Sequence, residues 1–361
     1  MISVQRILNP KAAITVGAAV AAGLVGKRVL QREPGADLSG EVAVVTGASS
    51  GLGYLIAREF GREGCKLVIC ARDSDALESA RTQLLDDGVE VLAVKCDVSD
   101  QEQVDQLITQ ATERFGKIDI LVNNAGVIQF GPMQSTTREN FENAMDTMFW
   151  GTVQPTLAVL PQMTERGHGR IVNITSIGGK VSVPHLLPYN SAKFAALGFS
   201  EGLHAEVGKD GIAVTTIVPG LMRTGSFVNA QFVGDVEKEY TWFSLGSSLP
   251  LITIDAESAA RQIVEATRRG ESERIISLPA KILARIHGVA PATTARILSA
   301  VDKWILPDPP DDPEHNVPGK DLQERIDSNA QEAATTLGRE AAQQYQPADN
   351  LPPGLRSDYR D

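Results

Sequence analysis

The chain has 361 residues, of which 42% are hydrophobic, and it carries a formal net charge of −11. This composition excludes a disordered chain, and the acidic excess argues against non-specific binding to nucleic acid, which depends on clustered lysine and arginine. Three cysteines, Cys65, Cys70 and Cys96, lack metal-ligand spacing, so we expect buried thiols in the reducing cytoplasm and no metal site.

An uncharged segment of fifteen residues, 12–26, lies near the N-terminus between basic residues. A helix that spans a bilayer needs about 20 apolar residues, and this segment is rich in alanine and glycine. Three interpretations stay open. Residues 1–36 could associate the protein with a membrane on its cytoplasmic side, form a soluble packing helix, or act as a cleaved signal.

From residue 41 onward, short apolar runs typical of strands alternate with helical segments. The predicted strands are EVAVVTG, CKLVIC, VEVLAVKCD, IDILVNNAG, GRIVNITS, GIAVTTIVPG and ERIISLP. Such alternation is the signature of repeated βαβ units around a parallel sheet. We therefore predict an α/β fold, a Rossmann-type doubly wound parallel sheet of about seven strands with helices on both faces, in one domain over residues 37–280.

A glycine-rich turn, TGASSGLG, follows the first predicted strand and opens a helix. Glycines allow a tight turn there, and the N–H groups of the helix N-terminus can bind a pyrophosphate. The candidate cofactor residues of this turn are Gly47, Ser49, Ser50, Gly51, Leu52 and Gly53.

The end of the second predicted strand bears on which dinucleotide binds. Arg72 stands there, and a guanidinium pairs with a 2′-phosphate, whereas an acidic residue would hold a ribose hydroxyl. Because Asp73 is adjacent, NAD stays open, but Arg72 favours NADP.

Four further motifs accompany this turn: NNAG at 123–126, Ser176, the pair Tyr189 and Lys193, and the dipeptide Pro219-Gly220. In this order they resemble the short-chain dehydrogenases/reductases over about residues 37–280. The resemblance implies catalysis by Ser176, Tyr189 and Lys193. It further implies cofactor contacts, which we assign to Asp97, Val98, Asn124, Tyr189, Lys193, Pro219, Gly220, Met222 and Thr224. One departure is Met148, where the family usually has an asparagine that helps to hold a proton-relay water.

The spacing of Tyr189 and Lys193 has a chemical reason. Residues i and i+4 share a helix face, and a nearby ammonium favours phenolate, so we expect it to lower the tyrosine pKa towards neutrality. The predicted reaction is NADP(H)-dependent interconversion of a carbonyl and an alcohol. A nucleotide-binding sensor or scaffold with weak turnover, and a dehydratase or epimerase, are the alternatives.

The segment 225–255 lacks clear periodicity and holds the aromatic residues Phe227, Phe232, Tyr240, Trp242 and Phe243. We expect a lid over a small apolar substrate, with a loop that packs its own aromatics as the alternative. The histidines His168, His185 and His204 are expected at the surface or in loops.

Two amphipathic helices are predicted over residues 281–306, followed at 307–361 by a proline-rich acidic linker and a helical arm. The helices could pack on the protein itself, which we favour, pair with another subunit, or lie on a membrane surface. We also expect a homo-oligomer.

Overall fold

A parallel sheet of seven strands forms the centre of the protein in a computed structural model that describes residues 35–250, 252–323, 325–326, 329–346 and 351. The strands of this sheet are β1 (Val42–Thr46), β2 (Lys66–Ala71), β3 (Val91–Lys95), β4 (Ile120–Asn123), β6 (Gly169–Ile174), β7 (Ile212–Pro219) and β11 (Glu273–Ile276). Their spatial order is β11-β7-β6-β4-β1-β2-β3. The order reverses direction between β1 and β4, and such a switch point is where open α/β sheets bind ligands.

The first two strands are mostly apolar because helices cover both faces of the sheet. All five residues of β1 and the last five of β2 are buried, as expected for parallel strands without a solvent face. Asp73 and Asp100 cap the two helices after β2 and β3 by accepting backbone N–H groups. The predicted Rossmann-type fold with seven parallel strands is confirmed.

Ten helices of eight residues or more lie within residues 51–304. They are α1 (Gly51–Arg62), α2 (Ser74–Asp86), α3 (Gln101–Phe115), α4 (Arg138–Met145), α5 (Gly151–Arg166), α6 (Leu187–Val207), α7 (Val236–Ser248), α8 (Ala256–Arg268), α9 (Leu278–Val289) and α10 (Pro291–Trp304), with α12 (Asn329–Tyr345) and the short α11 (Gly319–Gln323) beyond. A π-helical turn, Asp146–Trp150, joins α4 to α5.

Two small sheets lie beside the main one. β5 (Gln129–Phe130), β9 (Gln231–Gly234) and β12 (Glu314–Pro318) form the first, and β8 (Leu221–Arg223) and β10 (Thr253–Asp255) form the second. Segment 225–255, which lacks clear periodicity in the sequence and was expected to be a long loop, contains β9 and α7. The proline-rich linker likewise contains β12, which pairs antiparallel with β9.

The aromatic residues of segment 225–255 mostly pack on each other. Phe227, Phe232 and Tyr240 are buried in one cluster with Phe130, while Trp242 is exposed. Phe243 alone of the five predicted aromatics lines the central cavity. The alternative interpretation, aromatics that pack among themselves, therefore holds for most of this set.

The predicted apolar segment 12–26 lies outside the described residues. Among the residues that are described, no helix has both the length and the apolar character needed to cross a bilayer. All three cysteines are free and buried, as expected.

Candidate active site

A cavity of about 770 Å³ opens at the carboxyl ends of the central strands. Every site residue predicted from the sequence lines this cavity. These residues are Gly47, Ser49, Ser50, Gly51, Leu52, Gly53, Arg72, Asp97, Val98, Asn124, Ser176, Tyr189, Lys193, Pro219, Gly220, Met222 and Thr224. The structure thus brings together residues that are up to 177 positions apart in the sequence, Gly47 and Thr224 being the extremes.

The glycine turn between β1 and α1 has a shape that only glycine permits at two positions. Gly47 has a φ of +63°, which L side chains rarely adopt. A Cβ at Gly53 would lie 2.1 Å from the Gly47 carbonyl oxygen and 2.4 Å from Asn124 Nδ2. Ser50 gives α1 no side-chain cap, so the helix N-terminus can donate its N–H groups to an anion in the cavity.

Asn124 fixes this turn from the neighbouring strand. Its Nδ2 donates to the carbonyl oxygens of Thr46, at 3.0 Å, and Gly47, at 3.1 Å. The Thr46 hydroxyl in turn accepts the backbone N–H of Asn124 and of Ala125. Asn124, predicted as a cofactor contact, therefore also holds the turn in place.

Arg72 and its neighbours lie at the end of β2. The Asp73 carboxylate accepts the backbone N–H groups of Asp75 and Ala76 as the cap of α2. This carboxylate, whose presence kept NAD as an alternative cofactor, is therefore occupied by the helix cap. The Arg72 side chain is 59% exposed, and its guanidinium forms an ion pair of 4.0 Å with the Asp97 carboxylate. Because the guanidinium has further N–H donors, it can also contact a phosphate at this end.

Ser176, Tyr189 and Lys193 meet at the other end of the cavity. Ser176 follows β6 and accepts the backbone N–H of Gly178 at 3.0 Å. Tyr189 lies in the first turn of α6, and Lys193 follows one turn later. Its ammonium nitrogen is 5.8 Å from the centroid of the Tyr189 ring and donates to the Ile174 carbonyl oxygen at 2.8 Å.

The loop after Ser176 approaches α6 closely because it contains two glycines. A Cβ at Gly178 would lie 2.6 Å from Asn190 Oδ1, and one at Gly179 would lie 2.6 Å from the Lys193 carbonyl oxygen. The dipeptide Gly178-Gly179 therefore allows Ser176 to sit against Tyr189.

Burial sets the protonation behaviour of this group. It raises the pKa of the Tyr189 phenol, and a hydrogen bond from Ser176 opposes that rise. Burial also lowers the pKa of Lys193 to about 8. The expected lowering of the tyrosine pKa by Lys193 is not seen in the protein alone, because removal of both groups from water outweighs other effects.

Met148 occupies the position where an asparagine was expected. It lies in the π-helical turn, is buried, and packs against Ala144 and Ala192 beside Tyr189. Its backbone carbonyl accepts the Thr152 hydroxyl at 2.9 Å. A thioether contributes no hydrogen-bond donor there.

Comparison with known proteins agrees with this geometry. The sequence profile of short chain dehydrogenases matches residues 41–231. The chain belongs to the short-chain dehydrogenase/reductase family. Members of this family are NAD(P)-dependent oxidoreductases, and that is the class of this enzyme.

Individual relatives of the family match this chain over different shares of their own length. A protein named as a ketoacyl reductase from Streptomyces coelicolor is 40% identical over 186 residues, which are 51% of this chain and 71% of the relative. The chain spans from 19% to 91% of the length of other curated relatives.

Two solved structures of the family are also similar. An actinorhodin polyketide ketoreductase variant with NADPH is 30% identical, with a TM-score of 0.59, over 67% of this chain and 97% of the other. L-Sorbose reductase from Gluconobacter frateurii, complexed with NADPH and L-sorbose, is 31% identical, with a TM-score of 0.60 and the same coverage.

Sequence reasoning missed the contribution of the C-terminal arm to this short-chain dehydrogenase/reductase site. Gln346, just after α12, lines the cavity and is buried. Its Nε2 donates to the Thr224 carbonyl oxygen at 3.0 Å, and its Oε1 accepts Asn229 Nδ2 at 2.7 Å. Because this contact spans more than a hundred residues, no local pattern signals it.

His185 was expected at the surface or in a loop, and the loop is correct but the side chain is buried. Its Nδ1 lies 2.8 Å from Glu239 on α7, and its Nε2 lies 3.3 Å from Asp302 on α10. Burial raises the pKa of Glu239, and the contact with His185 opposes that rise. The histidine thereby joins the substrate-side loop to two helices.

Proposed function

We propose that the protein interconverts a carbonyl and an alcohol on an apolar substrate with NADP(H), using Tyr189 as the acid and base. One observation carries this proposal. Ser176, Tyr189 and Lys193 line the same cavity as the glycine turn and Arg72, so a dinucleotide bound at the turn can extend to the tyrosine.

The residues fit a dinucleotide phosphate. The glycine turn leaves no room for a Cβ at Gly53 and presents the uncapped N-terminus of α1 to the cavity. Arg72 is available for a 2′-phosphate, while Asp73 is engaged in capping α2. Two similar structures are NADPH complexes, which supports NADP over NAD.

Each of the three catalytic candidates has a distinct role in this proposal. NADPH supplies a hydride to the carbonyl carbon. Ser176 donates a hydrogen bond to the carbonyl oxygen and orients it, and Tyr189 gives that oxygen its proton. The Lys193 ammonium stabilises the phenolate left behind, since an opposite charge in a buried site favours the ionised form.

The substrate side of the cavity is apolar. Val183, Leu186, Phe243, Ile252 and Leu283 line it. Pockets of this kind bind apolar molecules and orient them through a few polar groups. The two solved relatives act on dissimilar molecules, so the apolar preference rests on the lining of this chain.

Replacement of the phenol tests the mechanism. Tyr189→Phe should lower turnover by about 10²- to 10⁴-fold, the range for loss of a general acid, while NADPH affinity stays near that of the unmodified protein. Cofactor oxidation measures the first quantity and NADPH fluorescence the second. Full residual turnover in the variant would reject Tyr189 as the proton donor.

Met148 favours a second candidate, a nucleotide sensor with weak turnover, because it removes the side chain that helps to hold a relay water. A panel of ketones and aldehydes graded by size and polarity separates the two functions. A sensor binds NADPH and oxidises it with none of them. In that case Met148→Asn should create measurable turnover.

A further inference from the structure

The helical hairpin formed by α9 and α10, residues 278–305, leaves most of its apolar side chains in solvent. Only Ala280 and Thr294 are buried in its two helices. The exposed set comprises Leu278, Ile282, Ile286, Val289, Ile297, Trp304 and Ile305. This outcome differs from the expectation that these helices pack on the protein itself.

The exposed residues of α9 form one stripe. Leu278, Ile282, Ile286 and Val289 follow the four- and three-residue spacing of a single helix face, and Leu278 and Val289 are 68% and 88% exposed. On α10, Ile297 and Trp304 are seven residues apart and therefore share a face, with Trp304 76% exposed. Isolated exposed leucines are ordinary, but a continuous apolar stripe marks an interaction surface.

Positive charge accompanies this stripe. Each of four basic residues directly precedes an exposed apolar one, in the pairs Lys281-Ile282, Arg285-Ile286, Arg296-Ile297 and Lys303-Trp304. The hairpin has one acidic residue, Asp302, and it faces His185. Within the part of the chain that the structure describes, the four basic side chains have no carboxylate partner.

The charge of the hairpin is opposite to that of the whole protein. Four basic and one acidic residue give residues 278–305 a net charge of +3, in a chain whose total is −11. An apolar stripe flanked by lysine and arginine is the pattern of a helix that lies in the headgroup region, where long basic side chains reach the lipid phosphates. Such a surface complements an anionic bilayer.

The same hairpin borders the cavity. Pro279, Ala280 and Leu283 of α9 line the cavity wall, as does Leu221, which is also exposed. One side of α9 thus faces the substrate side of the cavity, and its other side carries the apolar stripe.

We propose that the outer face of the α9–α10 hairpin docks on an anionic lipid surface, which places the rim of the cavity at the bilayer. The apolar stripe enters the headgroup boundary, and the basic side chains contact lipid phosphates. This inference goes beyond the proposed reaction, and its test does not depend on turnover. A molecule dissolved in the acyl layer would then reach the cavity without crossing water.

Tryptophan fluorescence can report on the hairpin separately from every other segment. The chain has three tryptophans, Trp150, Trp242 and Trp304. The full chain carrying Trp150→Phe and Trp242→Phe keeps only Trp304, at the end of α10. This protein is titrated with vesicles of phosphatidylcholine alone and with phosphatidylglycerol added, in both cases with brominated acyl chains as quenchers.

We expect the Trp304 emission to shift to the blue and to be quenched, with apparent affinity at least about tenfold higher for the anionic vesicles and reduced by salt. Absence of quenching, or equal quenching by both vesicle types, would overturn the proposal. Light scattering without lipid provides a further check. If Ile282→Glu abolishes self-association, the face belongs to a second copy and the proposal fails.

A matched pair of substitutions locates the contact. Ile282→Glu combined with Ile286→Glu should remove quenching of Trp304, because both side chains lie on the stripe. Leu85→Glu is the control, since Leu85 is similarly exposed, at 42% against 48% for Ile282, but lies on α2 at the opposite edge of the sheet. NADPH binding by all variants verifies folding. Equal loss of quenching in the control would also contradict docking through the hairpin.

Discussion

Two regions of the molecule enclose the cavity, and their side chains reach it in different ways. In residues 41–123, the glycine turn and Arg72 lie directly after strands of the main sheet, so the end of each strand places them. In residues 225–346, Phe243 and Gln346 reach the cavity through contacts between distant segments, such as β9 with β12 and Gly225 with α12. The position of the site residues is set by local sequence pattern in the first region and by long-range packing in the second.

The difference has a consequence for how each region tolerates change. The turn in the first region is fixed at the backbone, because Gly53 lies against the Gly47 carbonyl and Asn124 Nδ2 donates to the carbonyl oxygens of Thr46 and Gly47. The second region is held to the site by packing between distant segments and by side-chain hydrogen bonds such as those of Gln346. Single substitutions should therefore affect nucleotide binding more strongly in the first region than in the second.

The largest effect is expected for Gly53→Ala. The added Cβ would lie 2.1 Å from a backbone oxygen that cannot move without opening the turn. A cost of about 3 kcal/mol, at the upper end for overpacking, corresponds to about a 100-fold loss of NADPH affinity. Fluorescence titration measures this loss.

Gly202→Ala is the matched control for that substitution. Gly202 lies within α6, has a helical backbone, and a Cβ there meets no atom within 4 Å. Alanine is a better helix former, so this variant should keep its affinity and gain up to about 1 kcal/mol of stability. Unchanged NADPH binding by Gly53→Ala would refute the assignment of the turn.

Lys193 lies on α6, between the two regions in the sequence. Its substitution shows whether the two regions together exclude water from the cavity. Burial lowers the pKa of Lys193 to about 8. Below pH 8 the folded protein therefore holds a buried ammonium that would be more stable in water, and this destabilises the folded state. Lys193→Met should abolish turnover yet raise the free energy of unfolding at pH 7 by about 2 kcal/mol, after subtraction of the lost hydrogen bond to Ile174.

The pH dependence follows from the direction of this shift. Between pH 8 and the ordinary lysine pKa, the unfolded chain holds a proton that the folded protein has released, so stability of the unmodified protein rises with pH. The advantage of Lys193→Met should therefore be largest below pH 8 and shrink above it. Denaturant unfolding at pH 7 and pH 10 without nucleotide measures the difference, and an advantage that is constant with pH would show an open, hydrated site.

The same contrast explains what could be predicted from the sequence. Helices α2, α3 and α8 each begin directly after an aspartate that caps them, Asp73, Asp100 and Asp255, and such signals are local in the sequence. Helix α7 was missed because Glu239, Ser244 and Ser247 stand at buried positions of its inner face, which disrupts the apolar pattern. The pairing of His185 with Glu239 and the position of Gln346 depend on tertiary contacts that no motif encodes.

Arg72 belongs to the first region, and the effect of its substitution on binding should differ between NADPH and NADH. Arg72→Ala should lower NADPH affinity by about tenfold and leave NADH affinity unchanged. The guanidinium contributes a charge-assisted contact that its 59% exposure weakens by solvent screening. Competitive titration with both nucleotides tests this, and Arg81→Ala on the outer side of α2 serves as the control. Equal losses for the two nucleotides would remove the role in 2′-phosphate recognition.

The smallest effect is expected for Gln346→Ala in the second region. The substitution removes the hydrogen bonds to the Thr224 carbonyl and from Asn229, each worth about 1 kcal/mol or less. If the arm closes the cavity over the nucleotide, NADPH affinity should fall about threefold, mainly through faster dissociation, because a loosened cover affects release more than entry. Gln344→Ala, on the exposed side of α12, should have no effect in stopped-flow displacement. A loss as large as that of Gly53→Ala would mean that the arm is as integral to nucleotide binding as the turn, and the contrast between the two regions would not hold.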